Sequence, residues 1–377
     1  MTAVHRSLKT PLNIARHRLW SQHVAGSGLG NPSEVVRWLG AVQAQDYLGS
    51  LWAIGLRMPN ATEQAVEQAI ADRTIIRTWP MRGTLHFVAA TDIRWMLALL
   101  TSRVVANSRW RLKQLELDAS VFARSRKTFV SVLRGGRHLS RNAMYEALEA
   151  AGVATAAGRG LHILWQLAQE GFICFGARQA KQPTFVLLDE WAPAAKAKER
   201  DAALAELASR YFTSHGPATL QDFAWWSGLT MADAIDALEM AKSHLLQEVV
   251  AGRTYWLSSS VHPAKDRQPT AYVLPAYDEY TVAYKDRSAV LDPLHAKRAS
   301  SGNGIFNPII VIDGQVVGTW KRRLEKGSVV ITLNLFRSLT KADRQALVMA
   351  AGQYGEFLKA QIALAPHTLA SKQTSSI

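Results

Sequence analysis

Residues 140–188 read SRNAMYEALEAAGVATAAGRGLHILWQLAQEGFICFGARQAKQPTFVLL, two helical periods followed by two β-rich runs. Ser140 is placed to cap a helix running through Met144, Leu148 and Ala151. Leu161, Leu164, Trp165 and Ala168 then recur at helical spacing. Runs 172–175 and 184–188 read as the two strands of a hairpin. Helix, turn, helix and hairpin is the order of a winged helix-turn-helix, whose commonest employment is to dock one helix against nucleic acid.

The same order recurs on both sides of this stretch. Upstream, a helix over 11–24 precedes a glycine-rich break, and Asn31, Pro32 and Glu34 form a helix-start signal. Val35, Leu39 and Val42 fall on one face of the helix that follows. A third helix from Thr62 buries Val66 and Ile70, and a hairpin pairs 74–79 with 84–88 about a turn at 80–83. A connector helix capped by Thr91 carries Ile93, Met96, Leu97 and Leu100 as its apolar stripe. Downstream, Leu204, Leu207 and Tyr211 mark one helix, and a Thr219–Asp222 capping box and the Thr230/Asp233 pair start two more. The wing there is 247–250 and 254–257. After Pro263 strands dominate, at 272–274, 309–312, 316–320 and 329–333, with Asp313-Gly314 a hairpin turn. A last helix over 341–358 packs some combination of Leu347, Met349 and Tyr354, and the tail from Pro366 frays. The expected fold is α+β, with three tandem winged helix-turn-helix units at 10–90, 121–190 and 198–258. A helical connector fills 91–120, and a β-barrel-like domain with a basic hairpin spans 271–363.

Charge favours a polyanionic partner. The 377 residues carry a formal net charge of +14. Between Arg103 and Arg137 nine bases face only Glu116 and Asp118, 9 − 2 = +7, as a surface that tracks phosphates requires; a solvated basic face is the plain alternative. Cys174 is the only cysteine, so disulfides within the chain and thiolate zinc cages are excluded. No apolar run is long enough to cross a bilayer, and residues 1–10 lack an apolar signal core, which predicts a cytoplasmic location.

Chemistry centres on segment 42–46, VQAQD. On a continuing helix Gln43 and Gln45 would point to opposite faces; on extended chain they would share one side. Gly49 and Gly55 make an irregular path plausible. Two amides on one side would offer carbonyl oxygens to a water or a ribose hydroxyl. The alternative is a helix end with two exposed polar residues.

Three segments carry a family resemblance: GAVQAQDYLGS at 40–50, RTWPMRGTLHF at 77–87 and VLPAYDEYTVAYKDR at 273–287. They resemble the AlkZ/YcaQ family of bacterial winged-helix DNA glycosylases, in order and spacing from about residue 10 to 363. The resemblance implies tandem winged helices and a C-terminal β domain arranged as a C-shaped clamp on DNA. It implies hydrolysis of the N-glycosidic bond of N7-alkylated purines, extending to interstrand crosslinks, by a monofunctional glycosylase without a cofactor. The Gln-x-Gln motif of the AlkZ-like branch falls on Gln43 and Gln45. The other branch has Gln-x-Asp, and Asp46 lies one residue out of register for it.

Amides suffice for such a leaving group. An N7-alkylated purine is already cationic and departs without protonation, leaving the site to hold a water and to stabilise a cationic sugar. Arg77, Arg82 and His86, in or around the first hairpin, are candidates for DNA contact, with an exposed wing as the alternative. Lys321, Arg322 and Arg323 follow a predicted strand at a hairpin tip and read as a further DNA contact, against a solvated turn. Asp278 and Glu279 read as a polar network supporting the site, and Trp225-Trp226 as core. The expected partner is double-stranded DNA with alkylated purines, bound by a monomer with no membrane attachment, in the cytoplasm at the nucleoid. Two competing readings are a non-catalytic winged-helix transcription regulator, which would bind an operator as a dimer, and a structural DNA-binding protein without activity. The Gln pair and the lack of an evident dimerisation helix weigh against the first.

Overall fold

Ser140 does accept the backbone N–H of Ala143 and start a helix, and similar local signals start most of the others. The computed structural model describes residues 12–365, except 196, 264–268, 303 and 326, together with 368–369. The expectations for residues 1–10 and most of the tail from Pro366 lie outside the described residues. Helix α1 (Ile14–Ser21) is capped by Asn13, and α2 (Pro32–Leu39) by Asn31 with Pro32 in its first turn. Strand β1 (Val42–Gln43), α3 (Tyr47–Gly55) and α4 (Glu63–Ala71) follow, then hairpin β2 (Ile75–Met81) and β3 (Thr84–Ala89). The long α5 (Ile93–Gln114) starts at Asp92 rather than Thr91, without a side-chain cap bond; Asp92 instead accepts from Trp95 and Arg210. A second set holds α6 (Ala119–Leu133), β4 (Leu139–Ser140), α7 (Arg141–Ala150), α8 (Arg159–Gln169), β5 (Ile173–Gln179), β6 (Gln182–Leu187) and the short α9 (Leu188–Trp191). The third holds α10 (Arg200–Ser214), α11 (Leu220–Ser227), α12 (Met231–Ala241), β7 (Leu245–Val250) and β8 (Arg253–Ser258). Helices followed by a hairpin therefore recur three times.

The C-terminal part contains β9 (Ala271–Leu274), α13 (Glu279–Val282), α14 (Ala296–Ala299), β10 (Ser300–Gly302) and β11 (Ile305–Phe306). Strands β12 (Ile309–Ile312), β13 (Gln315–Glu325) and β14 (Ser328–Leu335), helix α15 (Lys341–Leu358), β15 (Gln361–Leu364) and β16 (Thr368–Leu369) complete it. Among the described residues its main sheet runs β15-β14-β13-β12-β9 with open ends, so it is not a closed barrel. Asp313 and Gly314, both with positive φ, make the tight turn between β12 and β13. Leu347 and Tyr354 of α15 are buried as expected, whereas Met349 is exposed.

Long-range pairing ties the repeats together. Arg77 of β2 pairs with Phe175 of β5, which fuses the first two hairpins into one sheet of order β1-β3-β2-β5-β6-β4. Hydrophobic cores cross the expected boundaries in the same way. Ile76 and Met96 share a core with Cys174, Leu207, Trp226 and Tyr284. Helices α2 to α4 share theirs with the β12–β14 sheet and α15. Helix α1 packs on Tyr280, Val311 and Val316 of the C-terminal part. The overall class is mixed α+β, built as one interlocked body rather than a string of separate cores.

Gly49 and Gly55 lie inside α3, not in an irregular path. A side chain at Gly49 would meet the Asp46 carboxylate and stand 3.3 Å from Pro275, and one at Gly55 would run into the Phe357 ring. Gly55 leaves room for α15 to lie tight against α3, and Gly49 chiefly leaves room for the capping Asp46 carboxylate.

Candidate active site

Gly40, at φ +79°, ends α2, and a Cβ there would stand 3.2 Å from the Trp226 ring. The chain then runs extended: Val42 pairs with Phe87, Gln43 with His86, and the Ala44 N–H donates to the Leu85 carbonyl at 2.7 Å. Asp46 closes the passage by capping α3 through the Gly49 N–H. The extended reading therefore holds, and residues 43 and 45 share a side. Gln43 is buried and Gln45 exposed, and Gln43 Nε2 donates to Gln45 Oε1 at 2.5 Å.

Arg82 fixes which way the Gln43 amide points. The β2–β3 turn consists of Arg82 and Gly83, both at positive φ, a tighter turn than the expected 80–83. From there Arg82 Nη1 donates to the Trp226 carbonyl at 2.7 Å and Nη2 lies 3.3 Å from Gln43 Oε1. A guanidinium only donates, so the atom facing it is the carbonyl oxygen, and the Gln43 –NH₂ must face Gln45. The expectation of two free carbonyls is revised: Gln43 Oε1 is held by Arg82, while Gln45 Oε1, already accepting from Gln43, keeps a second lone pair.

His86 is fully buried under this turn. Its Nδ1–H donates to the Thr84 carbonyl at 2.9 Å and Nε2 faces Arg82 at 3.4 Å. Burial, then the nearby Arg82 charge, pushes its pKa down to about 3, so the ring is neutral. His86 cannot reach a phosphate. Neither can Arg77, which is buried, donates to the Ala44 carbonyl at 3.2 and 2.7 Å and stacks on Phe175. Burial pushes its pKa down to about 10. Both expected DNA contacts are corrected to supports of the 43–45 passage; of the three, only Arg82 is partly exposed.

Lys321, Arg322 and Arg323 lie within β13, paired with Thr332, Ile331 and Val330, rather than at the turn. Strand alternation splits them. Lys321 and Arg323 are exposed, whereas Arg322 is half-buried and donates to the Tyr354 hydroxyl. Arg323 pairs with Glu325 at 2.6 Å. Trp226 is buried, but Trp225 is nearly half exposed, contrary to a core role.

The acids at 278 and 279 hold the segment from beneath. Asp278 caps α13 and takes two hydrogen bonds of 2.9 Å from the buried Arg57, just beyond α3. Glu279 accepts the Gln43 backbone N–H at 3.1 Å and Trp226 Nε1 at 3.0 Å. A polar network was legible from the sequence; its direct grip on Gln43, 236 positions away, was not.

Known proteins match this arrangement. The profile of the AlkZ-like DNA glycosylases matches residues 36–357. The chain belongs to the AlkZ-like DNA glycosylase family. An interstrand DNA cross-link repair glycosylase of Streptomyces sahachiroi is 25% identical over 310 residues, 77% of this chain and 81% of that protein. The solved structure of Streptomyces sahachiroi DNA glycosylase AlkZ shares the fold, with a TM-score of 0.76 and 21% identity over 94% of this chain and 98% of that one. Membership makes this AlkZ-like chain a DNA glycosylase acting on DNA and sets the regulator reading aside. No helix among its described residues is long and apolar enough to cross a membrane. No group of three His, Cys, Asp or Glu among them could hold a metal.

Proposed function

We propose that the chain hydrolyses the N-glycosidic bond of N7-alkylated purines in duplex DNA, at Gln43 and Gln45. The observation that carries this reading is the Gln43–Gln45 amide pair, rigid on its buried side and open to solvent at Gln45. The C1′–N9 bond breaks with its electron pair passing to the cationic base, which leaves neutral. A water held on the free lone pair of Gln45 Oε1 forms the new bond to C1′ and loses a proton to solvent. Neutral carbonyls stabilise the cationic sugar only moderately, so an unmodified base, a far worse leaving group, stays in place. Substrate reactivity supplies part of the specificity.

On this reading the three helix-plus-hairpin repeats are winged helices, at about 10–90, 121–190 and 198–258. With the connector and the domain at 271–363 they form a C-shaped clamp on DNA. Lys321 and Arg323, exposed on one side of β13, and Arg82 supply phosphate contacts. The enzyme works as a monomer at the nucleoid, and the name of the Streptomyces relative supports crosslinks as further substrates. Duplex DNA containing N7-methylguanine, incubated with the protein in EDTA and then treated with alkali, is expected to break at the lesion. Intact strands would refute the substrate, and activity lost only in EDTA would refute the metal-free mechanism.

A further inference from the structure

We infer that Glu279 is a positioning residue for this reaction, a fixed buried carboxylate that holds Gln43 and sets negative charge beneath the place where the sugar becomes cationic. The inference rests on chemistry taking place at Gln43 and Gln45.

Three observations carry it. The first is placement. Glu279 is 1% exposed, and its two oxygens accept from the Gln43 backbone N–H and from Trp226 Nε1. Asp278 meanwhile anchors Arg57 beyond α3. Consecutive acids thus hold both ends of the segment that contains the amide pair.

The second is charge. Burial alone would raise the carboxyl's pKa, but His215 beside it and the nearby Arg82 charge keep it below the ordinary value, and both of its oxygens accept from N–H donors, as a carboxylate's do. His215 Nε2 lies 3.5 Å from Oε2, and burial holds that imidazole below its ordinary pKa. Among the described residues no arginine or lysine lies within ion-pair distance of Glu279. Arg82 is engaged by the Trp225 and Trp226 carbonyls at the end of α11, where a positive charge complements the helix dipole.

The third is cost. A neutral amide could accept from Gln43 at far lower desolvation penalty, though its –NH₂ would then face Trp226 Nε1, and a buried carboxylate with no Arg or Lys at ion-pair distance is expensive. A carboxylate there supplies both acceptors and, beyond them, a field that acts on developing positive charge, which is strong in a low-dielectric interior. The Gln-x-Gln motif itself carries no charge, so the negative charge of the site comes from the far end of the sequence.

The test uses two duplexes, one with a protonated pyrrolidine nucleotide in place of the lesion and one with the neutral tetrahydrofuran nucleotide. Wild-type protein is expected to bind the cationic duplex more tightly. In Glu279→Gln the cationic-to-neutral affinity ratio should fall at least about tenfold, with release of N7-methylguanine falling alongside. Tetrahydrofuran binding should stay within about twofold. Glu279→Asp, which keeps the charge but withdraws it from Gln43, should give an intermediate ratio. No cationic preference in the wild type, or an unchanged ratio in folded Glu279→Gln, overturns the proposal even if release falls. Should Glu279→Gln not fold, Glu279→Asp decides, and a wild-type ratio there overturns it. Gln45→Ala separates the two failures. Undiminished release in that variant refutes the site itself, whereas release lost there with the Glu279→Gln ratio intact refutes only the role of Glu279.

Discussion

The Gln43 side chain has little freedom: Arg82 holds its oxygen, Gln45 receives its –NH₂, and Glu279 holds its backbone. Such fixing matters for a site with no charged group of its own in the motif, because a misplaced water is unproductive. Arg77 contributes by tying β2 to the Ala44 carbonyl between the two glutamines. Replacing Arg77 by Ala strands that carbonyl and empties a stacked volume, and should destabilise the fold by about 2–4 kcal/mol. Urea unfolding measures this, and the salt dependence of DNA binding should be unchanged. A lower salt slope with unaltered stability would return Arg77 to phosphate contact. From sequence, Arg77 and His86 were indistinguishable from wing residues, because burial at a sheet junction depends on β5, a hundred positions away.

At the scale of elements, the passage from α2 through β1 to α3 builds the site. Capping chemistry is local, so Asn31, Ser140, Thr219 with Asp222, and helix α15 could be read residue by residue. Strand β1 could not, since two residues become a strand only through their partner β3. Helix α3 was hidden for a different reason: Gly49 and Gly55 look like helix breakers, yet they serve close packing. Gly55→Ala should therefore cost about 1–3 kcal/mol despite the better helix propensity of alanine, because the added methyl meets the Phe357 ring. Thermal melts check the sign, and a stabilised variant would show that α3 and α15 are not in tight contact.

Across the whole molecule, binding and chemistry draw on different residues. That the expected tandem units share a β2–β5 pairing and common cores could not be read from the sequence, because those contacts are long-range, while the basic segment 103–137 was visible directly. All of its bases but the half-buried Arg126 are exposed on or near α5 and α6. This helical surface begins beside the site, as Arg103 donates to the Gly228 carbonyl and a Cβ at Gly83 would stand 3.2 Å from Val104. DNA affinity should fall by orders of magnitude between about 50 and 200 mM salt and depend little on sequence. A flat salt titration would mean that this surface does not meet phosphates.

The most direct test of the account is single-turnover release of N7-methylguanine by Gln43→Ala and Gln45→Ala, alongside their DNA affinity and melting temperature. Each variant should lose roughly 10²-fold or more in rate, while affinity and folding change little, since neither amide releases counterions. Gln45→Asp should retain appreciable activity, because a carboxylate there can still hold water and face a cationic sugar. Wild-type rates in both alanine variants would contradict the account and leave Gln43 and Gln45 as ordinary polar residues between two helices.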